Sequence, residues 1–276
     1  MASGHAGGGM DTEAVLSRRD AATDRRFYAG MVLLLLAIVL SGFIPTSRTM
    51  LAAVQAGHRP PIPLVLHVHA VVMGAWISLL VVQGLLVASG RADLHRRLGM
   101  AAFALMPAVV LVMLLMTRQG WMGMIQMPAG MMPPEVLAGT KALIANLLLA
   151  QLLVIVLFPV FIGRALALRR RDPGSHKRYM IFGTMLPLTA GLDRLTEALG
   201  VSTLPGSGDS SYFWTLVLTL PVIAFDLIRQ GRIHKATLVF LGVLLACFAF
   251  VHALWGSEGW LATAPRLMSL VGVHGW

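Results

Sequence analysis

Three short stretches of the chain set a histidine beside basic residues: Leu94-His95-Arg96-Arg97, Ser175-His176-Lys177-Arg178 and Ile233-His234-Lys235. Two more histidines, His69 and His252, lie inside apolar runs. Imidazole ligates haem and metals and exchanges protons near neutral pH, so these positions are the chain's candidates for chemistry. His69, Trp76 and Gln83 recur at seven-residue spacing and share one helical stripe. His67 lies about 200° around the helix from His69, so at most one of the two rings faces the interior. Asp193 and Arg194, with His252, fall at the same depth as His69 and predict a polar pocket on the outer side with Trp76 and Gln83. Its plainer reading is an interfacial belt in which Arg194 snorkels. Met122, Met124 and Met127 form a second candidate group, because thioethers suit a soft metal such as Cu(I); they are equally good apolar filler. Near the inner face, Asp226 is expected to pair with Arg229 three residues on.

These residues need elements to hold them, and composition decides which. Of 276 residues, 57% are hydrophobic and 12% charged, against about 25% charged in a soluble domain. Such a chain cannot wet its own surface, and the excess must face lipid. The formal charge of +10 lies in short loops between apolar runs, which marks topology rather than a nucleic-acid surface. The single cysteine, Cys247, excludes a disulfide framework.

A span takes roughly 20 apolar residues. Seven segments qualify, near 27–46, 63–89, 98–117, 141–168, 178–199, 212–229 and 236–255, and predict an all-α membrane protein, a seven-helix transmembrane bundle over 27–255. Residues 1–26 read as a disordered cytoplasmic tail and 256–276 as an outer interfacial tail. With the N-terminus inside, 16 of the 22 Lys and Arg residues face the cytoplasm, which predicts N-in/C-out in a bacterial inner membrane. Microbial rhodopsin is excluded, since no lysine follows Lys235 within the last span. The His-basic junctions open the third, fifth and seventh spans. A cation at a helix N-terminus opposes the macrodipole, so Arg96, Arg97, Lys177, Arg178, His234 and Lys235 are expected to meet lipid phosphate or another anion, with His95 and His176 sharing one.

The set His67-Val68-His69, Trp76, Gln83, His95-Arg96-Arg97-Leu98-Gly99, His176-Lys177-Arg178-Tyr179-Met180, Arg194 and Asp226 with Gly231-Arg232-Ile233-His234 resembles a widespread group of uncharacterised bacterial membrane proteins. The lead-in Arg26-Phe27-Tyr28 fits it too. The resemblance covers about residues 25 to 267 and departs at Lys235, where that group usually has proline. It implies a fold and a localisation, not a reaction. Two function classes follow from the residues. One is a redox or metal protein holding b-type haem or a metal through His69, His252, His95 and His176. The other is a cofactor-free transporter or sensor with an outer polar pocket and a basic inner rim. A membrane assembly role is the third.

Overall fold

The computed structural model describes residues 7–127, 130–201 and 210–276, with side chains from residue 20 onward except 210 and 211. Every regular element among the described residues is helical. The helices are α1 (Gly7–Gln55), α2 (Leu64–Ala88), α3 (Ala92–Leu98), α4 (Ala102–Ile125), α5 (Pro134–Leu168), α6 (Pro173–Met185), α7 (Thr189–Ala198), α8 (Ser210–Gln230), α9 (Lys235–Leu254) and α10 (Glu258–Ser269). Among the described residues, six stretches are long and apolar enough to cross a bilayer: Asp20–Gln55, Leu64–Ala88, Ala92–Ile125, Pro134–Leu168, Tyr212–Gln230 and Lys235–Leu254. Lipid leaves no other partner for their backbone groups, so helix is the form they must take.

The count is six, not the seven expected. The missing member is the segment predicted as a span over 178–199, which is broken into α6, a 3-10 turn at Leu186–Leu188 and α7. Pro187 lacks an N–H and its ring disfavours a continuous α-helix at that point. The segment carries Arg178, Asp193, Arg194 and Glu197, with His176 and Lys177 just before it, too many charges for a lipid-facing helix. It is instead packed among its neighbours, with Arg178, Phe182, Thr184 and Met185 buried. Lys177 reaches Asp24 of α1, and a side chain at Gly42 of α1 would collide with the Gly191 carbonyl of α7, 2.3 Å from the added Cβ. Positions 24 and 42 are about 27 Å apart along α1 at 1.5 Å per residue. The broken rod therefore runs beside α1 for about the thickness of a hydrocarbon layer, and two glycines permit the close approach at its far end.

Three boundaries also differ. The leader expected as a disordered tail is helical from Gly7 and continuous with the first apolar helix; positions 1–6 lie outside the described residues. Its N-terminal part is held by Asp20, 2.7 Å from Arg229, and by Asp24 on Lys177. α4 extends to Ile125 and α5 begins at Pro134, which shortens the outer loop expected over 117–140. The C-terminal segment contains α10, whose Trp260 indole N–H donates to the Ala145 carbonyl of α5 at 2.8 Å. The Trp276 ring meets Trp121 with centroids 3.8 Å apart, so the tail packs back onto the bundle.

Candidate functional site

Two polar assemblies occupy the end of the bundle where α6 and α9 begin. The first is a clasp of ion pairs. The Arg178 guanidinium, buried, donates from Nε to Asp226 Oδ1 at 3.1 Å and from Nη2 to the same oxygen. Asp226 Oδ2 accepts from Thr237 Oγ1 at 2.7 Å and from the His234 backbone N–H at 3.1 Å. Arg178 Nη1 closes the set on the Gly174 carbonyl at 2.9 Å. Around this core, Lys177 meets Asp24, Arg229 meets Asp20, and Lys235 meets Asp172 at 3.0 Å. Asp172 also caps α6, its Oδ1 accepting from Ser175 N at 3.0 Å. That bond, and then Lys235, hold its carboxyl well below the ordinary carboxylate range. His234 caps α9, its Nδ1 accepting from Ala236 N at 3.1 Å, and burial followed by the Arg178 charge depresses its imidazolium form.

At the N-termini of α6 and α9 the conflict between cations and the helix dipole is thus resolved from within. Arg178, Lys177 and Lys235 find carboxylates of this chain where lipid phosphate was expected, and His234 serves as a cap. Asp226 does not take the local Arg229, which turns to Asp20. A buried guanidinium 48 positions away offers Asp226 a dry, multiply bonded partner.

The second assembly is a cavity of about 450 Å³ between α1, α2, α4 and α6. Trp76, Leu80, Val32 and Ile181 give it apolar walls, and Gln83, His95, His176 and Tyr28 are polar residues of its lining. The Trp76 indole N–H donates to Thr184 Oγ1 at 3.2 Å, which ties α2 to α6. His176 Nδ1 donates to the Ala165 carbonyl at 2.8 Å, which leaves its Nε2 as an acceptor. Three lining residues have buried polar atoms without a hydrogen-bond partner: the Tyr28 hydroxyl, both amide atoms of Gln83, and His95 Nδ1. Each such atom costs about 1–3 kcal/mol when left dry. Met100 and Phe103, exposed on the bundle surface, line the same cavity and open it sideways. The Arg169 guanidinium lies 5.5 Å over the Phe103 ring at that opening.

The histidines expected to act at two depths separate. His95 and His176 come together on the inner cavity, while His69 and His252 do not line it. His69 is half-buried and turned inward and His67 is exposed, which settles which of the two faces the bundle. The charged neighbour of His69 is Arg194, whose guanidinium stacks 4.7 Å over Phe43 and donates to the Ala190 carbonyl at 2.7 Å. His252 is exposed and stacks on Phe248 one turn earlier, with centroids 6.2 Å apart. Asp193 is half-buried beside Arg194. Trp76 and Gln83 line this cavity and not a pocket with His69, because the stripe from His69 descends about 21 Å to Gln83. Met124 is buried and Met122 packs on the core. Both lie within α4, with Met127 just beyond its end, so the two helical methionines act as filler.

Tyr28 and Asp24 are the site residues the sequence did not single out for chemistry. The spacing of Asp20 and Asp24, four apart and thus on one face of a helix, is the signal that was available. Among the described residues, no three His, Cys, Asp or Glu side chains converge as a metal ion would require. Compared with known proteins, the chain matches no family model, no curated protein and no solved structure.

Proposed function

We propose that this is a bacterial inner-membrane protein that binds a membrane-borne amphipathic molecule in its inner cavity, acting as a carrier or receptor. The observation that carries the reading is the convergence of Tyr28, Gln83 and His95, all with unpartnered polar atoms, on one largely apolar cavity. Buried polar groups in folded proteins are nearly always satisfied, and an occupant with an apolar body and a polar head would satisfy these once the side chains turn their sealed polar atoms toward it. The lateral opening at Met100 and Phe103 supports entry from lipid. Purification in mild detergent followed by native mass spectrometry should release a bound lipid-like species, and Gln83→Leu with His95→Phe should purify without it. Equal retention by the double variant would remove the reading.

The topology that goes with it has the N-terminus in the cytoplasm, with the broken rod α6–α7 crossing inside the six apolar helices. Its support is the 16-of-22 basic asymmetry and the course of the rod beside α1. Cysteines introduced at Ser3 and Ser257 in a Cys247→Ala background should label from opposite sides.

A second reading is favoured by the meeting of His95 and His176. Two imidazoles from different helices on one cavity, one with its Nδ1 anchored to a carbonyl, are what a b-type haem needs as axial ligands. A Soret band in the purified protein, lost in His176→Ala, would select it over the first.

A further inference from the structure

We infer that the occupant of the cavity is an anionic amphiphile about one leaflet long, whose headgroup displaces Asp24 from Lys177. The inference rests on the amphiphile reading and adds the charge of the head, the length of the body and the residue that competes with it.

The charge follows from the mouth. Arg25, Arg96, Arg169, Arg170 and Lys177 line it against one acid, Asp24, so five cations face one carboxylate for a balance of +4. Arg96 and Arg170 form no ion pair with another described residue. The clasp next to it shows what this chain does with cations that have structural work: each receives a carboxylate. Of the mouth cations, Lys177 alone has a carboxylate among the described residues, Asp24. Tyr28 supplies a hydroxyl donor and Gln83 an amide donor just below, and both are without partners. An anionic head accepts from all of these, and charge-assisted bonds are the stronger class.

The length follows from the walls. Along α2 the lining runs from Val87 to Trp76, eleven residues or about 16 Å. That is half of a hydrocarbon layer about 30 Å thick. The floor is shut by the Trp76–Thr184 bond. A chain lying in the cavity therefore spans one leaflet and stops.

The competitor is already in place. The Asp24 carboxylate sits on the Lys177 ammonium, and that ammonium lies 4.7 Å over the Tyr28 ring. Asp24 thus occupies, from the mouth side, the position an incoming anion would take. Both members are partly exposed, so the pair is weak enough to exchange.

The test uses quenching of Trp76, read as the difference between the full chain and its Trp76→Phe variant, by three probes with the same dibrominated acyl chain. These are a lysophosphatidylglycerol, the free fatty acid and the neutral monoacylglycerol. The anionic probes are expected to quench at about tenfold lower concentration than the neutral one, the worth of one charge-assisted hydrogen bond. Arg96→Gln with Arg170→Gln should erase that gap. Whichever anionic probe binds tighter assigns the head as phosphate or carboxylate. Asp24→Asn should tighten the anionic probes by about two- to fivefold and leave the neutral probe unchanged. Equal quenching by all three probes overturns the anionic head and leaves the amphiphile reading standing. No saturable quenching of Trp76 by any probe overturns that reading itself. Unchanged affinities in Asp24→Asn overturn the displacement, and a Soret band in the untreated protein overturns a lipid occupant.

Discussion

The clasp and the cavity share a layer of the molecule, draw on adjacent residues of α1 and α6, and treat polar groups in opposite ways. In the clasp, Asp226 has each carboxylate oxygen engaged and Arg178 bonds from all three nitrogens. In the cavity, one turn away on α1, the Tyr28 hydroxyl has no partner. The Tyr28 ring itself belongs to both regions, with the Lys177 and Arg178 cations at 4.7 and 5.7 Å from its centroid. Residue type does not separate structure from binding here, since His, Arg and Asp occur in both places. Satisfaction does: the clasp network is saturated, whereas Tyr28, Gln83 and His95 of the cavity lining keep polar atoms without partners.

Breaking the clasp should have the largest effect. Asp226→Asn or Arg178→Leu leaves a buried charge unpaired and should cost about 3–5 kcal/mol, read as thermal or denaturant stability in detergent. Replacing both with apolar residues should recover most of the loss, because the pair's own desolvation is removed with it. If the single variants are as stable as the wild type, the clasp is not what holds α6 to α8 and α9.

The cavity should answer with the opposite sign. Gln83→Leu removes two unsatisfied atoms, so the ligand-free protein should be unchanged or more stable, by up to about 1–3 kcal/mol. A clear loss of stability would mean that Gln83 is a structural residue like those of the clasp.

Two smaller effects sharpen the boundary between the regions. Asp172→Ala removes the α6 cap and should cost about 1 kcal/mol. The folded carboxyl lies below its ordinary value of 3.8, so its stabilisation is complete above that value and fades as pH falls beneath it. Wild type and variant should differ at pH 7 and converge in acid. Asp24→Asn breaks a half-exposed pair and should cost less than about 1 kcal/mol, an amount that disappears in high salt. A larger, salt-insensitive loss would make Asp24 a structural member of the clasp and not an exchangeable one at the cavity mouth.

The apolar helices were legible because bilayer thickness sets a length that sequence displays directly. The break at Pro187 was visible as a proline among charges, but apolar texture between them suggested a continuous span. Only packing shows how such a segment survives, with Arg178 buried against Asp226. That pairing was illegible, since a local rule offers Arg229 to the same carboxylate and nothing along the chain ranks a partner 48 residues away above it. The meeting of His95 and His176 was anticipated from a repeated motif. The descent of Gln83 to their level was computable from helix rise, but its stripe was read from the His69 end and assigned outward.

The broken rod also constrains how the chain is made. A charged residue at the centre of a membrane helix costs about 2.5–3.5 kcal/mol on insertion scales, and the stretch from Pro173 to Ala198 carries several. On the proposed topology it cannot partition into lipid by itself as it leaves the ribosome. Its buried guanidinium at Arg178 waits for Asp226 and Thr237, which are synthesised later on α8 and α9. On that topology, insertion is expected to be ordered, with the polar rod admitted only when its carboxylate partner arrives, so a nascent chain ending before α8 should leave the rod outside the lipid.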